Sequence, residues 1–163
     1  MESREYVYKK GDGCGDIMTD VFWSNKEKRH DYPVGRYNPL HVSARNIDNT
    51  PTAIIYHAGG FVKWSKEMVP KPEIFSLAKM GFVVVVPNYR LCPQISVFDG
   101  PVTDAKDCLL WAGKTLPGLL QEKSVNVDPT RVVTMGHSAG GTLALLMVRL
   151  ITEDKIINMR RFF

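Results

Sequence analysis

Residues 131–146, RVVTMGHSAGGTLALL, constrain the fold more than any other part of this chain. Residues 132–135 read as a short buried strand, 136–140 as a compressed turn, and the apolar run from Gly141 onward as a helix. A serine at such a strand-to-helix turn sits on strained backbone with its hydroxyl pushed into the open. Small residues two before and two after it keep neighbouring chain clear. Ser138 is therefore a candidate nucleophile, with Gly136, His137 and Gly140 as the elbow and its support. A glycine-rich turn before a helix also suits a phosphate, but neither G-x-G-x-x-G nor G-K-[ST] stands here.

Upstream, the pattern alternates strand and helix. Residues 6–9 and 17–23 predict a hairpin around the turn GDGCGD. The polar stretch 24–51, with Pro33, Pro39, Pro51, Gly35 and several Asn and Asp residues, predicts a surface insertion. A strand at 52–56 leads into His57-Ala58-Gly59-Gly60-Phe61. A helix over 73–80 ends at Gly81, and 82–86, FVVVV, is the strongest buried strand, closed by Pro87. A second helix is expected over 103–116, with Asp104 and Asp107 in its first turn and Pro117-Gly118 stopping or breaking it. This order predicts a single α/β domain over residues 1–163: a mostly parallel sheet with an N-terminal antiparallel hairpin and helices on both faces.

The 163 residues are 44% hydrophobic and 23% charged, which suits one domain with a real core. The net charge of +4 is scattered, and the clusters at 26–29 and 160–161 fall short of a nucleic-acid or membrane patch. The N-terminal MESREYVYKK lacks an apolar core and no run is long enough to span a membrane, so a cytoplasmic location is expected. Cys14, Cys92 and Cys108 are odd in number and widely spaced, fitting neither a disulfide framework nor a zinc site. No metal site and no cofactor motif is present in the sequence.

Three landmarks occur in one order: His57-Ala58-Gly59-Gly60, then Asn88-Tyr89-Arg90-Leu91-Cys92-Pro93, then the turn 136–140. Together they resemble the α/β-hydrolase superfamily, in its hormone-sensitive-lipase-like and carboxylesterase branch, over roughly residues 6–150. The first resembles the HGGG oxyanion motif with Ala58 for a glycine. The second resembles D-Y-R-L-A-P with Asn88 for the aspartate. The resemblance implies ester hydrolysis by Ser138, with the backbone N–H groups of Gly59, Gly60 and Ala139 stabilising negative charge that develops on the carbonyl oxygen. His57 and His137 are read as supporting residues rather than bases, Tyr89 and Arg90 as braces of their loop, and Asp99 and Asp104 as structural carboxylates. Phe61 and Trp64 stand either as an acyl-pocket wall or as ordinary packing.

In this superfamily an acid and then a histidine follow the nucleophile on loops well beyond the elbow helix. Twenty-five residues follow Ser138; they contain no histidine, and Asp154 comes too soon to be the acid. His30 and His41, in the polar insertion, would substitute only by coincidence. The chain is therefore expected to match the first half of the fold and to be a weak enzyme alone, because loss of the triad histidine in subtilisin costs on the order of a millionfold in turnover. The strand before Ser138 is expected to become an exposed apolar edge, inviting self-association or a partner chain. Besides a hydrolase of small carboxylic esters, the residues leave open a non-catalytic binding or decoy domain and an amide or peptide hydrolase.

Overall fold

The structure, a computed structural model, describes residues 1–11, 13, 15–24 and 49–153, with backbone alone for 151–153. The insertion expected at 24–51 lies almost wholly outside the described residues, as do Cys14, His30, His41 and Asp154. Five strands form one sheet in the order β1-β2-β4-β3-β5: β1 Glu2–Lys9, β2 Ile17–Trp23, β3 Thr50–Tyr56, β4 Val83–Pro87 and β5 Val127–Gly136. The hairpin β1–β2 is antiparallel and joins β4 antiparallel, while β4, β3 and β5 run parallel. The helices are α1 Lys71–Lys79, α2 Thr103–Lys114, α3 Leu116–Gln121 and α4 Ala139–Glu153.

The VVVV run forms β4 because β-branched side chains fit a sheet covered on both faces, and strand periodicity sends alternate residues to opposite sides. Val83 and Val85 enter a core with Ile54, Tyr56, Cys108, Trp111, Leu143 and Met147. Val84 and Val86 enter a second core with Phe22, Ile55, Ile74 and Ala78. Thus α1 covers one face, and α2, α3 and α4 cover the other.

A buried charge ties the layers together. Asp104 of α2, fully buried, accepts hydrogen bonds from the Arg90 backbone N–H at 2.9 Å, from Arg90 Nη2 at 2.7 Å and from Lys9 Nζ of β1 at 2.7 Å. Burial pushes its carboxyl upward, but the hydrogen bonds from Arg90 and Lys9 outweigh that and hold it below the ordinary carboxylate range.

Three sequence expectations shift. The strand before Ser138 begins at Val127 rather than Val132, and residues 132–135 are not buried, with Val133 42% exposed; as expected, the strand lies at the sheet edge, pairing with β3 alone among the described residues. Its first half was hidden by Pro129, which lacks an N–H and sits where the β3–β5 register breaks, beside Asp128 Oδ1 accepting from the Thr130 N–H at 2.9 Å. The elbow helix begins at Ala139, two residues before Gly141. Finally, Pro117-Gly118 does not end helical structure but opens α3, because proline is tolerated in a first turn whose N–H groups have no helical acceptor.

Candidate active site

The elbow is built by crowding. The His137 N–H donates to the Tyr56 carbonyl at the end of β3 (3.3 Å), and the N–H groups of Gly141 and Thr142 donate to the Ser138 carbonyl (2.9 and 3.3 Å). A Cβ on Gly140 would stand 2.6 Å from the His57 carbonyl oxygen and nearer still to that of Tyr56. One on Gly136 would stand 2.8 Å from the Tyr56 oxygen and nearer still to the Gly140 carbonyl. Both glycines are therefore required by close backbone approach rather than by φ. Ser138 itself carries the strain: its φ is 54°, in the left-handed region, and it is exposed.

The same strand end launches the loop that carries Gly59 and Gly60. Their φ values are 129° and 61°, and Phe61 (65°) and Trp64 (73°) are also left-handed. The Gly59 carbonyl accepts from the N–H groups of Val62 and Lys63 (3.1 and 3.2 Å), and a Cβ on Gly59 would stand 2.9 Å from the Lys63 carbonyl carbon. Ala139 is the first residue of α4 and is buried.

His57 is 1% exposed and stacks on Tyr89, ring centroids 4.0 Å apart and planes 3° from parallel. Its Nδ1 lies 2.6 Å from the Ala58 carbonyl, so Nδ1 carries the proton, and Nε2 has no hydrogen-bond partner among the described residues. Burial holds its pKa below the ordinary imidazole value despite the Ala58 carbonyl, leaving a neutral ring. His137 points elsewhere: its Nε2 lies 2.7 Å from Glu73 Oε2, tying the elbow to the first turn of α1.

Two contributors, Glu73 and Lys66, carry no signal in the sequence. Glu73 meets His137 across 64 positions of sequence. Lys66, 7% exposed, places its ammonium 2.8 Å from Asp20, 2.9 Å from Glu5 and 3.4 Å from Glu67. The Lys66 N–H donates to Asn88 Oδ1 at 2.8 Å. No local period signals such pairings, because each depends on which strands become neighbours. Of the two aromatic residues left open, Phe61 packs partly against the core, 6.5 Å from the Tyr89 ring, whereas Trp64 is 47% exposed beneath the Lys63 ammonium. Asp99 is bound within its own turn by Ser96 Oγ, and its carbonyl accepts from Arg90 Nη2.

Cys92 and Cys108 are unbridged, and burial pushes the Cys108 thiol upward. Among the described residues no cluster of three or more His, Cys, Asp or Glu side chains has metal-binding geometry, and no helix is long and apolar enough to cross a membrane.

Comparison with known proteins bears on the family and the fold. Over 142 residues (86% of the chain) the sequence is 44% identical to methylphloroacetophenone synthase of Cladonia uncialis, covering 5% of that protein. Over 154 residues (94% of the chain) it is 36% identical to the non-reducing polyketide synthase stbA of Stachybotrys bisbyi, covering 6% of that protein. A hyperthermophilic esterase from the archaeon Pyrobaculum calidifontis superposes with a TM-score of 0.61 at 28% identity, over 91% of this chain and 39% of the esterase. The chain thus spans about a twentieth of the synthases and two fifths of the esterase. The family model described as alpha/beta hydrolase fold matches residues 53–161, and with the sheet order and the strand-to-helix turn at Ser138 it shows that this chain belongs to the α/β-hydrolase superfamily, in its esterase-like branch.

Proposed function

We propose that this chain provides the nucleophile and oxyanion-binding part of a serine acyl-transfer site acting on carboxylic esters. Family and fold support an esterase-type reaction. The observation that carries the finer reading is Ser138 itself, exposed at φ 54° on an elbow packed against the strand end from which the Gly59-Gly60 corner springs. In this reading Ser138 Oγ attacks the acyl carbon and its proton passes to a base. The carbonyl oxygen takes up negative charge facing the N–H groups of Gly59, Gly60 and Ala139. The C–O bond to the leaving alcohol then breaks as that alcohol takes the proton, leaving an acyl-serine that water hydrolyses in the same manner. His57, buried with Nδ1 engaged, and His137, held by Glu73, are not the base. That base and its acid come from polypeptide outside the described residues, and the β5 edge is the place for such polypeptide, or a second copy, to pair. The relatives' names suggest the acyl group, a polyketide chain.

Fluorophosphonate labelling followed by peptide mapping tests this. The expected result is slow modification of Ser138 that Ser138→Ala abolishes. Labelling that survives Ser138→Ala, or none at all, overturns the proposal.

A further inference from the structure

The loop 57–66 holds four left-handed residues, two of them Phe61 and Trp64, which carry side chains that disfavour that conformation. Such backbone persists only where its surroundings over-determine it. Here the restraint comes from one five-residue segment. At the start of the loop, the Tyr89 hydroxyl donates to the His57 carbonyl at 2.9 Å, with the two rings stacked. In the middle, the Cys92 N–H donates to the Phe61 carbonyl at 2.7 Å. At the end, Asn88 Oδ1 accepts the Lys66 N–H at 2.8 Å.

The restraining segment is itself fixed on both sides. The Asn88 N–H donates to the Met18 carbonyl in β2 (3.0 Å), and the Asn88 carbonyl accepts from the Tyr8 hydroxyl (2.7 Å). Arg90 is held by buried Asp104. Lys66 adds a second anchor to the hairpin through Asp20 and Glu5. Burial pushes the Tyr89 hydroxyl pKa up, so it stays protonated and remains a donor across the working pH range.

We propose that Asn88, Tyr89 and Cys92 are positioning residues that pin loop 57–66 at three points and so aim the Gly59 and Gly60 N–H groups before any substrate arrives. This inference rests on the oxyanion role given to those glycines above. Donors aimed in advance at the developing charge need no reorganisation during the reaction, and a misplacement of about 1 Å costs about 100-fold in rate. The residues touch the loop and not the reacting atoms, so their loss should slow the chemical step while leaving ground-state binding largely intact. Asn88 stands where the D-Y-R-L-A-P pattern has aspartate, and its amide oxygen accepts the Lys66 N–H.

The test separates chemistry from binding in fluorophosphonate modification of this chain, with kinact and KI measured per folded molecule. Tyr89→Phe keeps the ring stack and removes one O–H; Asn88→Ala removes the acceptor, and Asn88→Asp restores one. The expected result is kinact about 10- to 100-fold lower for Tyr89→Phe and Asn88→Ala, KI within about twofold, and kinact regained in Asn88→Asp. A lower melting temperature with kinact unchanged in both variants, or a rise in KI with kinact kept, would assign these residues to stability or binding and overturn the inference. Ser138→Ala distinguishes the two levels. If it abolishes labelling while Tyr89→Phe and Asn88→Ala do not slow it, the clamp alone fails. If labelling persists in Ser138→Ala, or the parent does not label, the acyl-transfer reading fails and the clamp with it.

Discussion

Gly140→Ala sets two effects of opposite sign against each other. Gly140 lies in the first turn of α4 with no left-handed φ, so helix propensity alone predicts stabilisation by about 1 kcal/mol. The added Cβ, however, meets the His57 carbonyl oxygen at 2.6 Å and that of Tyr56 closer still. Ordinary carbon–oxygen contact needs more than 3 Å, and the atoms in the way are backbone of a central strand, which no rotamer change can clear. Forcing a methyl group into such packing costs about 3 kcal/mol, the upper end of the usual overpacking range. The net loss of about 2 kcal/mol lowers Tm by about 4–8 °C for a chain of this size. Gly118→Ala is the matched control: it lies in α3, is exposed, and a Cβ there meets nothing within 4 Å. It should gain about 0.5–1 kcal/mol. Urea unfolding and thermal melting of both variants decide the matter. A Gly140→Ala protein that melts at or above the parent would refute the claim that the elbow is wedged against the end of β3.

Asp104→Asn should cost about 3 kcal/mol in urea unfolding, because Arg90 and Lys9 lose a buried counter-charge; a loss below about 1 kcal/mol would mean that water already satisfies them. Its lowered carboxyl pKa makes that stabilisation full above about pH 5 and removes it as pH falls through the ordinary carboxylate value and then the lower folded one. His57, whose pKa burial depresses, contributes stability that is full above its unfolded value of about 6.5 and falls away below it. The parent should therefore melt lower at pH 5 than at pH 7.5, and His57→Phe, which keeps a ring on Tyr89, should flatten that slope; equal slopes would place the titration elsewhere. Val133→Lys, on the half-exposed face of β5, should shift light-scattering mass towards monomer, and an unchanged distribution would show that this edge is not where copies meet.

Features fixed by local chemistry were readable from sequence. Continuous β-branched runs located β3 and β4, alternation located β2 within its observed bounds, and glycines around a serine marked the turn before α4. Features fixed by neighbours were not. The residues of the strand before Ser138 read as buried wherever it lies, and only the match to half of a larger fold pointed to the edge position it takes. Nothing in the residues around Lys66 marks it for burial; it is buried because Glu5 and Asp20 arrive on the hairpin, 61 and 46 positions away. Trp64 gave no sign whether it would pack or project, since the answer turns on a left-handed φ set by a loop tied down 28 residues later at Cys92.

The margin of β5 that no described strand pairs stands two residues from Ser138. Since strand faces invert with every one-residue slip, the register of whatever segment zips onto that margin would decide which of its own side chains come near the hydroxyl. Under the proposed function, one docking event would then serve solubility and reactivity together. Fragments that recover one on mixing should recover the other in the same proportion.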